Sequence, residues 1–212
     1  MLPPQMDDAR RVREYWFGKL PLDRAALDER MKVWFVGEES PQLVQEGDAA
    51  IRAQFGARVE AALRGELSSW ADGPRRRLSL ILLLDQFARN IYRGRARAYA
   101  GDEQALALAL SGMQSGADAA LDPVERIFFY MPLQHSESPE VQEESVAAYR
   151  RLIGEAPQTL RPRFEETLKS AEQHASIIRR FGRFPHRNRV LRRVSTAEEV
   201  DYLRTAESFG QA

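Results

Sequence analysis

The segment Gly73-Pro74-Arg75-Arg76-Arg77-Leu78-Ser79-Leu80-Ile81-Leu82-Leu83-Leu84-Asp85-Gln86-Phe87-Ala88-Arg89-Asn90-Ile91-Tyr92 decides how this protein must be built. Gly-Pro is a helix-start signal, because proline lacks an N–H that the first turn would leave unbonded anyway. Between Leu78 and Leu84 only Ser79 is polar, so a helix here is hydrophobic around its whole circumference and belongs inside the protein. Such a helix needs several others to cover it.

The flanking sequence supplies them. Asp7 or Asp8 opens a helix carrying Val12, Tyr15 and Trp16 to Gly18, and a second runs from about Asp23 through Leu27, Met31, Trp34 and Phe35 to Gly37. Ser40-Pro41 is a cap followed by a first-turn proline. From Asp48 to Arg64 apolar residues recur at helical spacing (Ile51, Phe55, Val59, Leu63) before Gly65. Asp102 or Glu103 opens an Ala/Leu helix that ends before Gly116. Pro123 begins a short aromatic helix, Glu125 to Met131, which Pro132 is expected to stop. Ser138-Pro139 starts a helix to Ile153, Pro162 another to about Phe181, and Ser195-Thr196-Ala197-Glu198-Glu199 offers a capping box for the last. Val, Ile and Thr number 22 against 50 Ala and Leu, so strand formers are scarce. The expectation is an all-α fold of about nine helices in one domain, residues 1–212.

The charge balance excludes some functions. There are 31 basic and 31 acidic residues in 212, and a dedicated duplex-DNA binder usually carries a basic surplus. Neutrality and a shortage of Lys also disfavour RNA binding. The charge is nonetheless polarised: −3 over residues 1–72, +6 over 73–101, −7 over 102–172, +7 over 173–193 and −3 over 194–212. Between Glu172 and Glu198 there is no acid but seven arginines, Arg179, Arg180, Arg183, Arg187, Arg189, Arg192 and Arg193. Like charges packed that closely need neutralising acids from elsewhere in the fold, the acidic 102–172 segment above all, or a bound anion. With no cysteine there is no thiolate nucleophile or thiolate metal site. No apolar run reaches the ~18 residues of a membrane span. The N-terminal residues lack a secretory pattern, so a cytoplasmic location is expected.

Three constellations carry possible chemistry. In the first, Asp85 follows the apolar run directly, with Arg89 four residues on and Arg93 four beyond that, so all three can share a helix face. This is either a buried ion pair that fixes packing or the wall of a polar pocket. The second, His135-Ser136-Glu137, is expected in a loop after Pro132, where His135 and Glu137 could be a base and its orienting carboxylate or could simply bond local backbone. The third runs from His174 through Arg179-Arg180-Phe181-Gly182-Arg183-Phe184-Pro185-His186-Arg187-Asn188, where the amides near Phe184 could meet an anion at a helix start. His135, His174 and His186 with Glu137 would make a zinc set, but nothing in their spacing brings them together. No metal and no cofactor is expected.

These strings resemble the motifs of a bacterial family, the domain of unknown function nine-two-four. The matching positions are Asp85, Gln86, Arg89, Asn90, Tyr92 and Arg93, then His135, Ser136 and Glu137, then His174, Arg179, Arg180, Arg183, His186, Arg187 and Asn188. The resemblance implies antiparallel helices stacked as a tetratricopeptide-like right-handed superhelix, and it implies no reaction. Ala88 stands where the family usually has Pro, which is expected to straighten the helix. Arg192 stands where it usually has Gly, at a position suggesting a left-handed turn.

The leading expectation is that the three segments form one Arg-rich cleft for an anionic small molecule or an acidic peptide end. Arg89, Asn90, Arg93, Arg179, Arg183, Arg187 and Asn188 would bind it. If catalysis occurs, His135 or His186 would be the general base, oriented by Glu137 or Asp85. The alternative is a non-catalytic helical scaffold that holds a protein partner in its groove.

Overall fold

The computed structural model describes residues 4–35 and 40–204, with the side chains of 4–7 left aside. Every regular element among them is helical: α1 (Pro4–Phe17), α2 (Arg24–Trp34), α3 (Pro41–Leu63), α4 (Pro74–Ile81), a π-helical stretch (Leu82–Phe87), α5 (Ala88–Ile91), α6 (Asp102–Gln114), α7 (Pro123–Gln134), α8 (Pro139–Glu155), α9 (Arg161–Phe181) and α10 (Ala197–Leu203), with short 3-10 turns between. Among the described residues, α4, the π stretch and α5 form one continuous rod, and counting it once gives nine helices. The all-α expectation holds. Consecutive helices α6 to α9 pack on one another across short loops, which is compatible with tetratricopeptide-like stacking, whereas α1 and α3 pack onto the rod.

The rod is the centre of the protein. Leu78, Ile81, Leu82, Leu83, Leu84, Phe87 and Ala88 are all at most 1% exposed, so its circumference is covered on every side. Phe87 meets Phe55 of α3 at 5.1 Å and Trp16 of α1 at 5.3 Å between ring centroids, and Trp16 meets Phe128 of α7 edge-on at 5.4 Å. Each such ring pair adds about 0.5–1.5 kcal/mol to the area it buries.

Several local expectations need correction. Ser40 and Pro41 do cap and open a helix, but that helix runs on without a break through Gly47 and Asp48 to Leu63, so the 48–64 stretch is the second half of one 23-residue helix, α3, with Arg64 as its C-cap. Pro132 does not stop α7. It sits in the last turn, where one lost N–H bond is tolerated, and the His135 N–H still bonds the Met131 carbonyl at 3.0 Å. His135 is therefore a C-cap with φ −85° and ψ −7°, not a loop residue. The Ala88 N–H bonds the carbonyl of Leu83, five residues back, at the end of the π stretch, a bond that a proline at this position could not make. The expected helix stop at Gly37 lies outside the described residues.

Arg192 does take the left-handed turn expected at its position. Its φ is +56°, and among the described residues it is the sole non-glycine with positive φ. The Arg193 N–H bonds the Asn188 carbonyl at 2.8 Å and the Arg192 N–H that of Arg189 at 3.3 Å. Those two bonds are a Schellman cap, and Arg192 occupies its left-handed position. A side chain costs about 1–2 kcal/mol there. Since Arg192 is exposed, Arg192→Gly is expected to stabilise the protein by about 1 kcal/mol, read as a higher urea midpoint at unchanged m value; no gain, or a loss, would show that the guanidinium contributes a contact of its own.

Candidate functional site

The π stretch carries Asp85 into the interior. Its carboxylate is 0% exposed and meets three groups. His135 Nδ1 lies 2.7 Å from Oδ1, Gln86 Nε2 donates to Oδ2 at 2.6 Å, and an Arg89 guanidinium nitrogen stands 3.3 Å from Oδ1. Burial alone would raise the Asp85 carboxyl, but Arg89 and His135 overturn that and hold it well below the usual carboxylate range. Asp85 is thus an anion, and the proton between it and His135 belongs to Nδ1. The His135 pKa is lowered, first by burial and then by Arg89, against the opposing pull of Asp85. At neutral pH the ring is uncharged, with an Nε2 lone pair that accepts no hydrogen bond from the described residues. The side chain keeps 15% exposure.

Asp102, at the start of α6, forms the second half of the cluster. It receives Arg89 through two parallel bonds of 2.8 and 3.0 Å. This requires α6 to start hard against the rod, and Gly101 permits it: a Cβ there would lie 2.5 Å from the Leu84 carbonyl oxygen. Arg187 reaches in from the segment after α9. It donates to the His135 carbonyl at 2.9 Å and stands 3.5 Å from Asp102, while its Nε–H is buried with no acceptor among the described residues. The ring of Tyr99 lies against both arginines, 4.8 Å from the guanidinium carbon of Arg187 and 5.4 Å from that of Arg89. Phe184 lies 4.5 Å from Arg187.

All three histidines of the protein gather here. His135 and His174 are 6.3 Å apart between ring centroids, and Phe184 stands 5.5 Å from both His174 and His186. His174 Nδ1 bonds the Ser170 carbonyl at 2.8 Å, and burial lowers the ring's pKa to about 3. Burial, followed by Arg187, also takes His186 to about 3. The convergence that spacing could not establish is present, yet among the described residues no three potential ligands are placed to hold a metal.

The remaining expected site residues lie elsewhere. Arg93 does not share a face with Asp85 and Arg89, because the helix ends at Ile91 and Tyr92 (φ −114°, ψ 26°) turns the backbone away. With Asn90 it binds Asp48 of α3, Arg93 at 2.7 and 3.0 Å and Asn90 at 2.8 Å. Glu137 does not orient His135. Its carboxylate takes the Phe184 N–H at 2.8 Å and Arg193 at 2.7 and 3.0 Å, so the anion at the turn after α9 is supplied from within. Arg183 is held by Glu199 at 2.6 and 2.9 Å, and Asn188 donates to Ser195 Oγ at 3.0 Å, 1% exposed. Arg179 is a surface residue 3.6 Å from Glu143. Of the expected anion-binding residues, Arg89 and Arg187 alone join Asp85 and His135. Asp102 and Tyr99 were missed, because nothing in the local pattern of α6 or the turn before it marks them.

This cluster draws on each of the motif segments, and the resemblance seen in the sequence extends over most of the chain. Residues 12–207 match the bacterial protein family of unknown function DUF924. The chain belongs to that family. A solved structure of a protein of unknown function from Agrobacterium tumefaciens is 33% identical, with a TM-score of 0.77 over 95% of this chain and 99% of that one. No curated protein matches. Among the described residues no helix is long and apolar enough to cross a membrane.

Proposed function

We propose that this DUF924 protein binds a small anion beside the Asp85–His135 pair, with Arg187 as the binding cation and His135 as the acid–base group. The observation that carries this reading is the state of Arg187. The residue is 6% exposed, so its charge has left water, yet its five N–H donors meet one carbonyl and one distant carboxylate, and Nε meets nothing among the described residues. A buried cation short of acceptors is costly, and an arriving carboxylate or phosphate oxygen would lower that cost. Arg89, by contrast, meets both carboxylate oxygens of Asp102 as well as Asp85, and serves to fix both.

His135 adds a base to the anion site. Asp85 sets the tautomer, so Nε2 can take a proton from a bound molecule, and the imidazolium so formed would face a fixed carboxylate. Titration with acetate, followed by the ring signals of His135 in NMR, tests the reading. Acetate is expected to shift those signals saturably. Arg187→Gln should weaken binding at least tenfold, about 1.4 kcal/mol, and Arg179→Gln should leave it unchanged. Equal binding by all three proteins would overturn the assignment.

A further inference from the structure

We infer that residues 182–204 form a strap that opens as a unit about Gly182 while the helices beneath stay folded, and that Glu137 is the latch controlling entry to the histidine cluster. The inference concerns access, and it holds whether or not the cluster takes an anion.

The strap is bound to itself by a dense set of polar contacts. Glu199 takes Arg183 at 2.6 and 2.9 Å and the Thr196 N–H at 2.7 Å. Asn188 donates to Ser195 Oγ at 3.0 Å and accepts from Arg193 Nε at 2.9 Å, while Arg183 donates to the Val194 carbonyl at 2.9 Å. All of these partners lie between residues 183 and 199, so opening need break none of them. Apolar packing is divided in the same way. Phe184 and Tyr202 join Ile177, Ile178 and Phe181, at the end of α9, in a small cluster separate from the main core. Val194, Val200 and Leu203 face water. A segment that buries so few apolar side chains opens at less cost than the whole protein unfolds.

The hinge and the latch are specific residues. Gly182 ends α9 in the left-handed region at φ +68°, and a Cβ there would meet nothing within 4 Å. Residues at the ends of elements are where hinge motions place their backbone change. Three bonds from strap to body converge on Glu137, which takes the Phe184 N–H at 2.8 Å and Arg193 at 2.7 and 3.0 Å. Beneath the closed strap, Phe184 stands 5.5 Å from the buried His174 ring, which lies 6.3 Å from His135. Opening carries Phe184, His186 and Arg187 away together. Closure itself has a cost, because it buries the Arg187 guanidinium with an Nε–H that finds no acceptor among the described residues. Opening returns that group to water, which brings the two states closer in free energy.

Hydrogen exchange of the full-length protein at neutral pH, followed by NMR, tests the inference. The Phe184 N–H, which bonds across to Glu137, reports on the strap, and the Ala88 N–H reports on the rod. The Phe184 N–H is expected to exchange at least about 100-fold faster than that of Ala88, and with little response to low urea, since strap opening exposes little surface. Phe55→Leu, in the body, should speed Ala88 and leave Phe184 unchanged. Glu137→Gln keeps the shape but removes the charge that holds Arg193, and should speed Phe184 about tenfold, the worth of a hydrogen bond to a charged group. Labelling by diethyl pyrocarbonate, located by peptide mass, reads entry: His174 should react about tenfold faster in Glu137→Gln and at the unaltered rate in Phe55→Leu. Equal exchange of Phe184 and Ala88, or a Phe184 rate that rises in Phe55→Leu, would show that the strap is released only by global unfolding and would overturn the inference. An unchanged Phe184 rate in Glu137→Gln would remove Glu137 as the latch. Faster Phe184 exchange without faster labelling of His174 would overturn the control of entry.

Discussion

Replacing Asp85 by Ala is expected to destabilise the protein by about 3 kcal/mol, at the lower end of the ~3–5 kcal/mol typical when one partner is removed from a buried ion pair. The carboxylate is 0% exposed and holds Gln86, Arg89 and His135 together. Without it the His135 Nδ1–H loses its acceptor and the Gln86 amide keeps only the Met131 sulfur at 3.2 Å, in a largely buried place. The loss stops short of the upper limit because Asp102 keeps both of its bonds to Arg89. Asp85→Asn keeps the shape and an acceptor oxygen, and it is expected to cost about 1–2 kcal/mol. Urea unfolding at neutral pH gives the order: unaltered protein, then Asn, then Ala. An Ala variant within 1 kcal/mol of the unaltered protein would show that Asp85 does not organise its neighbours. In Asp85→Ala the His135 pKa should also fall further, since the carboxylate raises it against burial.

The particular residues show how far the sequence was readable. The rod was legible because a run such as Leu78–Leu84, apolar nearly all round and too short to span a membrane, has one stable place in a helical fold, under the other helices. The partnership of Asp85 with Arg89 was legible because four-residue spacing is a local rule that holds inside a helix. Arg93 shows the limit of the same rule, since it takes only a helix ending at Ile91 to send that side chain to Asp48. The pairing of Asp85 with His135 spans 50 residues and depends on how α7 packs against the rod, which periodicity does not encode. Charge arithmetic had the same weakness. The acidic 102–172 segment does neutralise part of the 173–193 arginines, through Asp102 with Arg187, Glu137 with Arg193 and Glu143 with Arg179. Arg180 and Arg183 instead take Glu198 and Glu199 from the next segment. Summed charge found the imbalance but could not say which arginine would be left short of partners.

Acid should unfold this protein earlier than its balanced composition suggests, and the histidines decide where. His174 and His186 have folded pKa values of about 3 against 6.5 for a free ring, and that of His135 is lowered too. A lowered histidine pKa means that the unfolded state binds the proton first. Stability is therefore fully present above about pH 6.5 and falls as pH drops below it. Each such ring contributes a slope of about 1.4 kcal/mol per pH unit, so His174 alone takes away about 2 kcal/mol between pH 6.5 and 5. His186 adds somewhat less, being partly solvated, and His135 acts in the same direction. The carboxylates act later. Asp85, Glu137 and Glu199 all have lowered pKa values, so their stabilising share persists until the pH falls below the ordinary carboxylate range. Urea midpoints at pH 7.5, 6.5, 5.5 and 5.0 should stay level across the first interval and drop steeply thereafter. His174→Asn keeps a donor toward the Ser170 carbonyl but cannot ionise, so it should remove close to one proton's worth of that slope. A stability that stays flat to about pH 5 would mean that the folded rings take up protons as readily as free ones, and that burial does not hold them neutral.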